Sequence, residues 1–338
     1  MNDPRVTVII VNYRTPDLTF NCVTGILAER KSLPDLRVVV VDGGSSDGSA
    51  SQLKDRLSAP DFREWVSFLP LPINGGFGWA NNQAILTIAG SDNPPEFIHF
   101  LNPDASIHPD AIHALIRELR AQPDAGCVGS QLVDTVGNDV PSAFRFPSAG
   151  RELISAAQST RLGKLLGISS AVVGVSESVD VDWVTGASFM VRTSALKESG
   201  LFDDGFFLYF EEVELMHRLH RCGWTVRHVP TSRVVHAEGS STGIQRRASL
   251  PDYWYNSRRR YFALTGGPAA VMRANLACLA GLTARTVKMP LRKSLTAPAV
   301  SAADLLRFRF WPRRTDAIAS APAWKDDPGK EPFWMSIQ

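Results

Sequence analysis

Nowhere in its 338 residues does the chain offer about 20 uninterrupted apolar residues, so an ordinary transmembrane helix is excluded. Its opening, MNDPRVTVIIVNY, has too short an apolar run for a secretory leader, and an acid precedes that run. Cysteine is scarce. Cys22, Cys127, Cys222 and Cys278 stand far apart, with no CxxC pair and no zinc spacing. Free thiols in a reducing cytoplasm follow, rather than a disulfide framework. A strong charge of one sign is missing too: the net charge of +2 does not suit a dedicated nucleic-acid binder. There is no GxxxxGK[ST] phosphate loop. Gly76-Phe77-Gly78 is followed by Asn81 rather than a third glycine, which leaves the dinucleotide fingerprint incomplete.

What is present suits a soluble globular protein, with 44% hydrophobic and 21% charged residues. The length allows one large domain or two ordinary ones. Val6 to Val11 is a β-branched run that reads as a buried strand. Thr15-Pro16-Asp17 reads as a helix start, with Thr15 as N-cap and Pro16 in the first turn. Further strands are expected over 37–41, 65–69 and 97–101, and helices over 48–57, 78–89 and 109–121. Ile112, Leu115, Ile116 and Leu119 form the apolar side of the last helix. This alternation predicts an α/β fold with a mostly parallel, Rossmann-like sheet and helices on both faces. Ligands of such sheets sit beyond the carboxyl ends of the strands, which places Tyr13, Asp42, Asn74 and Asp104 on one rim. Residues 140–179 are weakly patterned and are expected to cross the surface. Another strand is expected over 182–192 with a break at Gly186, and short strands over 226–236.

Three stretches carry candidate chemistry. In FFLYFEEVELMHRLHRCGW, aromatics from Phe206 to Phe210 run into Glu211 and Glu212, where an amphipathic helix begins. Burial raises a carboxylate pKa and a helix N-terminus lowers it, so the pair suits a tuned general base. Acids on a first turn also serve simply to complement the helix dipole. Leu101-Asn102-Pro103-Asp104 ends a strand. Asp104 there can hold a hard divalent cation or can cap a turn. His236 closes another strand before Gly-Ser-Ser-Thr-Gly; a neutral imidazole is a fair Mn²⁺ ligand, and a strand-end histidine is also often just packed or solvated.

The order VTVIIVNYR, VVVVDGGSSDGS, NGGFGWANN, FLNPDA, WVTGASFMVRTSA, FDDGFFLYFEEVELMHRL and HAEGSSTG resembles the inverting family 2 glycosyltransferases of GT-A fold, most of all their bacterial rhamnosyltransferase-like members. The resemblance covers residues 5–245 and implies a catalytic domain over 1–245. It implies a nucleotide-sugar donor and transfer to a hydroxyl of a growing surface polysaccharide or lipid-linked glycan, with rhamnose from dTDP-rhamnose as the matching donor. Asp42 would hydrogen-bond the base. Tyr13 and the Asn74 loop would line base and ribose, with Gly76 and Asn81 of the same stretch as further donor-binding groups. Asn102 and Asp104 match the metal motif, with Asp104 holding Mg²⁺ or Mn²⁺ and His236 as an additional metal ligand. Trp183, Thr185 and Gly186 would floor the acceptor site. Glu212 matches the catalytic acid side chain, with Glu211 in support.

Three positions depart from the pattern. Gly43 replaces the usual Asn of DNGS, the metal motif has Asn102 and one carboxylate, and Glu212 replaces Asp. The extra methylene shifts the base by about 1.5 Å, and misplacements of ~1 Å matter. These departures keep open a degenerate, non-enzymatic scaffold. A nucleotidyltransferase is the other alternative, although VNYRTPD lacks the glycine-rich phosphate loop such enzymes use.

Beyond residue 245 the chain turns basic. Arg258-Arg259-Arg260 precede Tyr261-Phe262, and a helix is expected from Pro268. Val271, Met272, Leu276, Leu279, Leu282, Val287 and Met289 fall on one side of it, with Arg273, Arg285 and Lys288 on the other. Residues 246–338 are therefore expected to form an extension that binds an anionic membrane surface, putting the protein on the cytoplasmic face of the cell membrane. A helical pair packed on the catalytic domain is the alternative. No pattern specifies an oligomeric state.

Overall fold

The structure is a computed structural model that describes residues 3–174, 176–236, 250–288, 300–308, 311–324 and 326–336. The first half alternates as expected: β1 (Val6–Asn12), α1 (Pro16–Arg30), β2 (Leu36–Asp42), α2 (Ser49–Leu57), β3 (Val66–Pro70), α3 (Phe77–Ala89) and β4 (Phe97–Leu101). Then come β5 (Ala105–Ile107), α4 (Ala111–Ala121), β6 (Ala125–Val133), β7 (Ala143–Phe144), α5 (Ala149–Ala157) and α6 (Thr160–Leu165). The next group is β8 (Val179–Val181), β9 (Trp183–Val184), β10 (Ser188–Arg192), α7 (Thr193–Ser199), α8 (Glu211–Arg221) and β11 (Thr225–His236). Among the described residues α9 (Asp252–Lys288), α10 (Ala302–Phe308), a 3-10 turn (Arg314–Ala317) and α11 (Phe333–Ser336) follow.

The main sheet runs β3-β2-β1-β4-β10-β6-β11-β5, with β8 also on β11. β3, β2, β1 and β4 are parallel, and β6 is parallel to β11. β10 is antiparallel to both of its neighbours, and β5 and β8 are antiparallel to β11. Alternate residues of β1 and β2 face opposite sides. Val8, Ile10, Val38 and Val40 pack with α1, α2 and α4, while Ile9, Val39 and Val41 pack with α3 and α8. Both faces are covered, which is why these strands read as unbroken apolar runs.

Several expectations are corrected. Residues 140–179 are not a bare surface crossing: they supply β7, α5 and α6, and α5 packs closely on α9. A Cβ on Gly281 would lie 2.5 Å from the Leu153 carbonyl oxygen, so glycine is needed for that approach. The strand expected over 182–192 is two strands, β9 and β10, separated at 185–187. The short strands expected over 226–236 are one strand, β11, with an irregularity between Val229 and Arg233. Thr15 is the N-cap by position, yet its side chain does not cap α1. Asn12 pins that turn instead, its Oδ1 accepting from the Thr15 N–H at 3.1 Å and the Thr19 hydroxyl at 2.9 Å.

The basic tail is corrected most. Arg258, Arg259 and Arg260 are all buried. Arg258 pairs with Glu152 at 2.9 Å, Arg259 with Asp316 at 2.5 Å and Arg260 with Asp203 at 2.6 Å. Those three charges are spent inside the protein and are not available to a lipid surface. α9 breaks at Gly266-Gly267, where Gly267 adopts φ 69°, just before Pro268. Beyond the break, the buried side is Val271, Ala274, Asn275, Cys278, Leu282 and Arg285, whereas Leu276 is exposed. The assignment of Leu276 and Arg285 to opposite sides is thus reversed, because the helix docks on α5 through its small residues. Met289 lies outside the described residues. Among the described residues no helix is long and apolar enough to cross a membrane.

Candidate active site

The carboxyl ends of β1, β2 and β4 open on a cavity of about 350 Å³. Tyr13, Asn74, Gly76 and Asn102 line it, as the sequence led one to expect. Gly43, Phe77, Pro103, Phe207, Leu208 and Tyr253 also line it and were not foreseen. These come from the loops after β2 and β4, the start of α3, the loop before α8 and the start of α9. Tyr13 is an exposed ring with the Arg14 guanidinium 5.0 Å from its centroid.

Asp42 lies below the cavity rather than in its lining. It is buried, its Oδ1 accepting from Asn12 Nδ2 at 2.7 Å and its Oδ2 from the Ser45 N–H at 2.8 Å. It therefore ties the end of β2 to the end of β1 and to the turn that follows. Gly44, at φ 71°, closes that turn against Ile73: a Cβ there would meet the Ile73 carbonyl carbon at 2.4 Å. Asn81 is also absent from the lining. It is buried within α3, its Nδ2 donating to the Phe77 carbonyl at 2.9 Å. Gly76 is needed where it stands, with φ 93° and the Phe207 carbonyl oxygen 2.1 Å from any Cβ. The Phe77 N–H donates to the same oxygen at 3.1 Å, joining the start of α3 to the loop before α8.

The strand pairing His236↔Ala105 brings the end of β11 beside the 102–104 turn. Asp104 is buried, its Oδ1 3.2 Å from His236 Nε2 and without a hydrogen-bonding partner. Asn102 Nδ2 is 3.3 Å from the same imidazole nitrogen. An orphaned carboxylate oxygen beside an imidazole nitrogen is a donor set that fits Mg²⁺ or Mn²⁺. Among the described residues there is no group of three or more His, Cys, Asp or Glu that could hold a metal alone. Such a site fits a cation carried in part by substrate phosphate, as Mg²⁺ usually is. The Gly-Ser-Ser-Thr-Gly loop after His236 lies outside the described residues. Cys22, against the Asn102 carbonyl at 3.5 Å, is buried, and burial pushes its thiol up, so it is an inert neighbour.

The Asn102 N–H donates to the Ala187 carbonyl at 2.9 Å, which attaches the 183–187 segment to the Asp104 turn. β9 pairs with β7, and the Trp183 ring stacks on Phe144 at 4.4 Å. The Thr185 N–H donates to the Ser142 carbonyl at 3.1 Å. Gly186 then faces the acids: a Cβ on it would lie 3.6 Å from the carboxyl carbon and Oε1 of Glu212. The expected floor and the expected base are thus neighbours.

α8 starts abruptly. Tyr209 and Phe210 take φ 69° and 71°, conformations that bulky residues rarely adopt and that cost about 1–3 kcal/mol each. Phe210 is held by Tyr261 at 5.7 Å and Trp254 at 5.6 Å, so α9 supports the strained corner. The corner sets the two acids apart. Glu211 turns inward, buried near Gly78, with Oε2 lacking any partner. Glu212, half-buried, turns toward Gly186. Desolvation raises the pKa of both, and the charge of Glu212 pushes Glu211 up further. Of the two, Glu212 is the one that faces Gly186. A larger cavity of about 540 Å³ shares Phe207 and Tyr253 with the first, but its Arg259 and Arg260 are committed to Asp316 and Asp203.

Comparison with known proteins identifies the family. The profile described as Glycosyl transferase family 2 matches residues 7–163, and that of Glycosyl transferase family group 2 matches residues 97–303. An N-acetylglucosaminyl-diphospho-decaprenol L-rhamnosyltransferase of Mycobacterium tuberculosis is 31% identical over 218 residues, 61% of this chain and 68% of that one. The rhamnosyltransferase WbbL of Escherichia coli is 26% identical over 167 residues, 48% of this chain and 60% of that one. In fold the chain resembles the mannosyltransferase PcManGT of Pyrobaculum calidifontis, solved with GDP-Man and Mn²⁺. The TM-score is 0.54 at 17% identity, covering 94% of this chain and 84% of that one. A GT-A sheet, a family profile spanning more than half of the chain and a relative above 30% identity converge: the chain belongs to glycosyl transferase family 2 and is a glycosyltransferase.

Proposed function

We propose that this hexosyltransferase moves rhamnose from dTDP-rhamnose onto a lipid-linked, diphosphate-bearing glycan, with inversion at the anomeric carbon. The observation that carries the reading is the Glu212 carboxylate set against Gly186, whose neighbour Ala187 is bonded to the Asp104 turn. The M. tuberculosis relative's name supports the sugar and the class of acceptor.

In this reading the nucleoside lies in the cavity against Tyr13, with Asn74 and Gly76 along its wall. Asp42 acts by holding the 43–46 turn in place. The acceptor lies over Trp183, Thr185 and Gly186. Glu212 takes the proton of the acceptor hydroxyl, and Glu211, buried beside it, holds the start of α8. A single base without a second carboxylate nucleophile gives direct displacement. Asp104 and His236 would hold Mg²⁺ or Mn²⁺; such a cation supplies Lewis-acid stabilisation of the diphosphate leaving group. Residues 1–245 make the catalytic unit, and 246–338 an extension whose helix α9 packs on α5. Exposed Leu165 and Leu166, with Arg161 and Lys164 beside them, support a peripheral position on an anionic membrane, where lipid-linked acceptors reside.

The test is transfer from dTDP-rhamnose to a polyprenyl-diphospho-sugar, with the product's anomeric configuration read by NMR. Inversion is expected; retention would overturn the single-displacement reading. Asp104→Ala should abolish transfer, and so should excess EDTA. His236→Ala should do less and alter the preference between Mn²⁺ and Mg²⁺. Full wild-type activity in EDTA would end the metal assignment.

A further inference from the structure

The wall of the donor cavity depends on one peptide plane, that between Gly75 and Gly76. Its N–H, on Gly76, donates to Asn74 Oδ1 at 3.1 Å. Its carbonyl, on Gly75, accepts from the indole N–H of Trp334 at 2.8 Å, 259 residues along the chain. Both Asn74 and Gly76 line the cavity. Gly76 sits at φ 93° and ψ 172°, a region open to glycine and closed to other residues. Two adjacent glycines have little intrinsic preference for one orientation of the plane between them, so something outside the turn must select it.

Trp334 is well placed to do so. Its ring meets Phe207 edge-on at 5.0 Å, and Phe207 lines the same cavity. Its own N–H donates to the Asp204 carbonyl at 3.1 Å, in the loop that leads to α8. The segment that carries it is fastened to α3 at two more points. Trp79 Nε1 donates to the Lys330 carbonyl at 2.7 Å, and the Gly329 N–H donates to Gln83 Oε1 at 2.5 Å. A strap over 329–336 is therefore fastened to α3 and carries an indole that touches both Gly75 and Phe207.

We infer that Trp334 is a positioning residue for the donor: it holds the 75–76 peptide and the Phe207 ring at the spacing that accepts a nucleoside diphosphate. It touches no reacting atom in this account, which rests on reading the 350 Å³ cavity as the donor site.

The experiment is calorimetric titration of the full chain with dTDP, UDP and GDP in the presence of Mn²⁺, using the tightest binder as the probe. Trp334→Phe keeps a ring on Phe207 and removes the indole N–H; binding should weaken about fivefold, the usual worth of one hydrogen bond. Trp334→Ala removes both contacts and should weaken binding at least about tenfold. Met335→Ala, on the same strap, should bind as the wild type does. Hydrogen exchange should quicken at residues 74–79 in both Trp334 variants, with the melting temperature of Trp334→Phe unchanged. Tyr13→Ala reports on the cavity itself and should also weaken binding. If Tyr13→Ala weakens binding and the Trp334 variants do not, the inference is overturned while the donor reading stands. If Tyr13→Ala binds like the wild type, the donor reading fails and the inference with it. Should Trp334→Ala fail to fold, Trp334→Phe decides alone.

Discussion

The rim at the ends of β1, β2 and β4 and the helix α9 both contribute to the 350 Å³ cavity, yet they are built on opposite principles. The rim uses positions fixed by local backbone. Tyr13 and the Asp42 turn follow strands that end in register, Asn12 opposite Asp42, and Gly44 and Gly76 sit where a Cβ has no room. α9 uses long side chains that reach across the fold. Successive residues on a helix differ by about 100°, so Arg258, Arg259 and Arg260 leave it in three directions. Each meets a carboxylate on a different segment: Glu152 on α5, Asp316 in the 314–317 turn, and Asp203 before α8. A triplet of arginines can be buried only when the helix is covered on several sides. What looks like a basic surface in the sequence is the point where insertion, tail and catalytic loop are fastened together.

The largest consequence of that contrast should be in stability. Arg260→Ala leaves Asp203 buried without its cation, and breaking a buried pair from one side costs about 3–5 kcal/mol. Urea denaturation should show that loss, and vesicle binding per folded molecule should not change. If Arg260→Ala is as stable as the wild type, the three arginines are not the fastening described, and the contrast between rim and helix collapses. A smaller effect is expected from Arg313 and Arg314, which are exposed. Replacing both by Ala should weaken flotation with anionic vesicles by about 1 kcal/mol per charge, an effect that fades with added salt. Equal flotation by the double variant would remove the tail from any part in membrane binding.

The difference also explains which parts of the molecule could be read in advance. β-branched runs ending in Asn-Tyr, Asp-Gly-Gly and Asn-Pro-Asp announce strands and turns over a few residues, and the rim follows from them. Glu212 and Gly186 could be named because each stands in a distinctive local stretch. Their contact could not be, since it needs β9, β10 and α8 in place. Tyr253, Trp334 and the buried arginines left no signal of their own, because what they touch lies from about fifty to more than two hundred and fifty residues away. Asn81 and Asp42, named as donor-binding groups through the resemblance, also make bonds that their local stretches do not announce: Asn81 bonds back within α3, and Asp42 holds the 12–45 turns together.

The central claim is that Glu212, not Glu211, is the base, and paired pH–rate profiles test it most directly. Rhamnosyl transfer should be measured for wild type, Glu212→Gln and Glu211→Gln at saturating donor. Burial raises the pKa of Glu212, and a base works only when ionised. The wild-type rate should therefore climb with pH along a limb lying above the ordinary carboxylate range. Glu211→Gln should keep that limb and most of the rate, because Glu211 is buried against Gly78 and does not face Gly186. Glu212→Gln should lose the limb and about 10²- to 10⁴-fold in rate, with nucleotide affinity little changed. A dead Glu211→Gln beside a normally active Glu212→Gln would contradict the account.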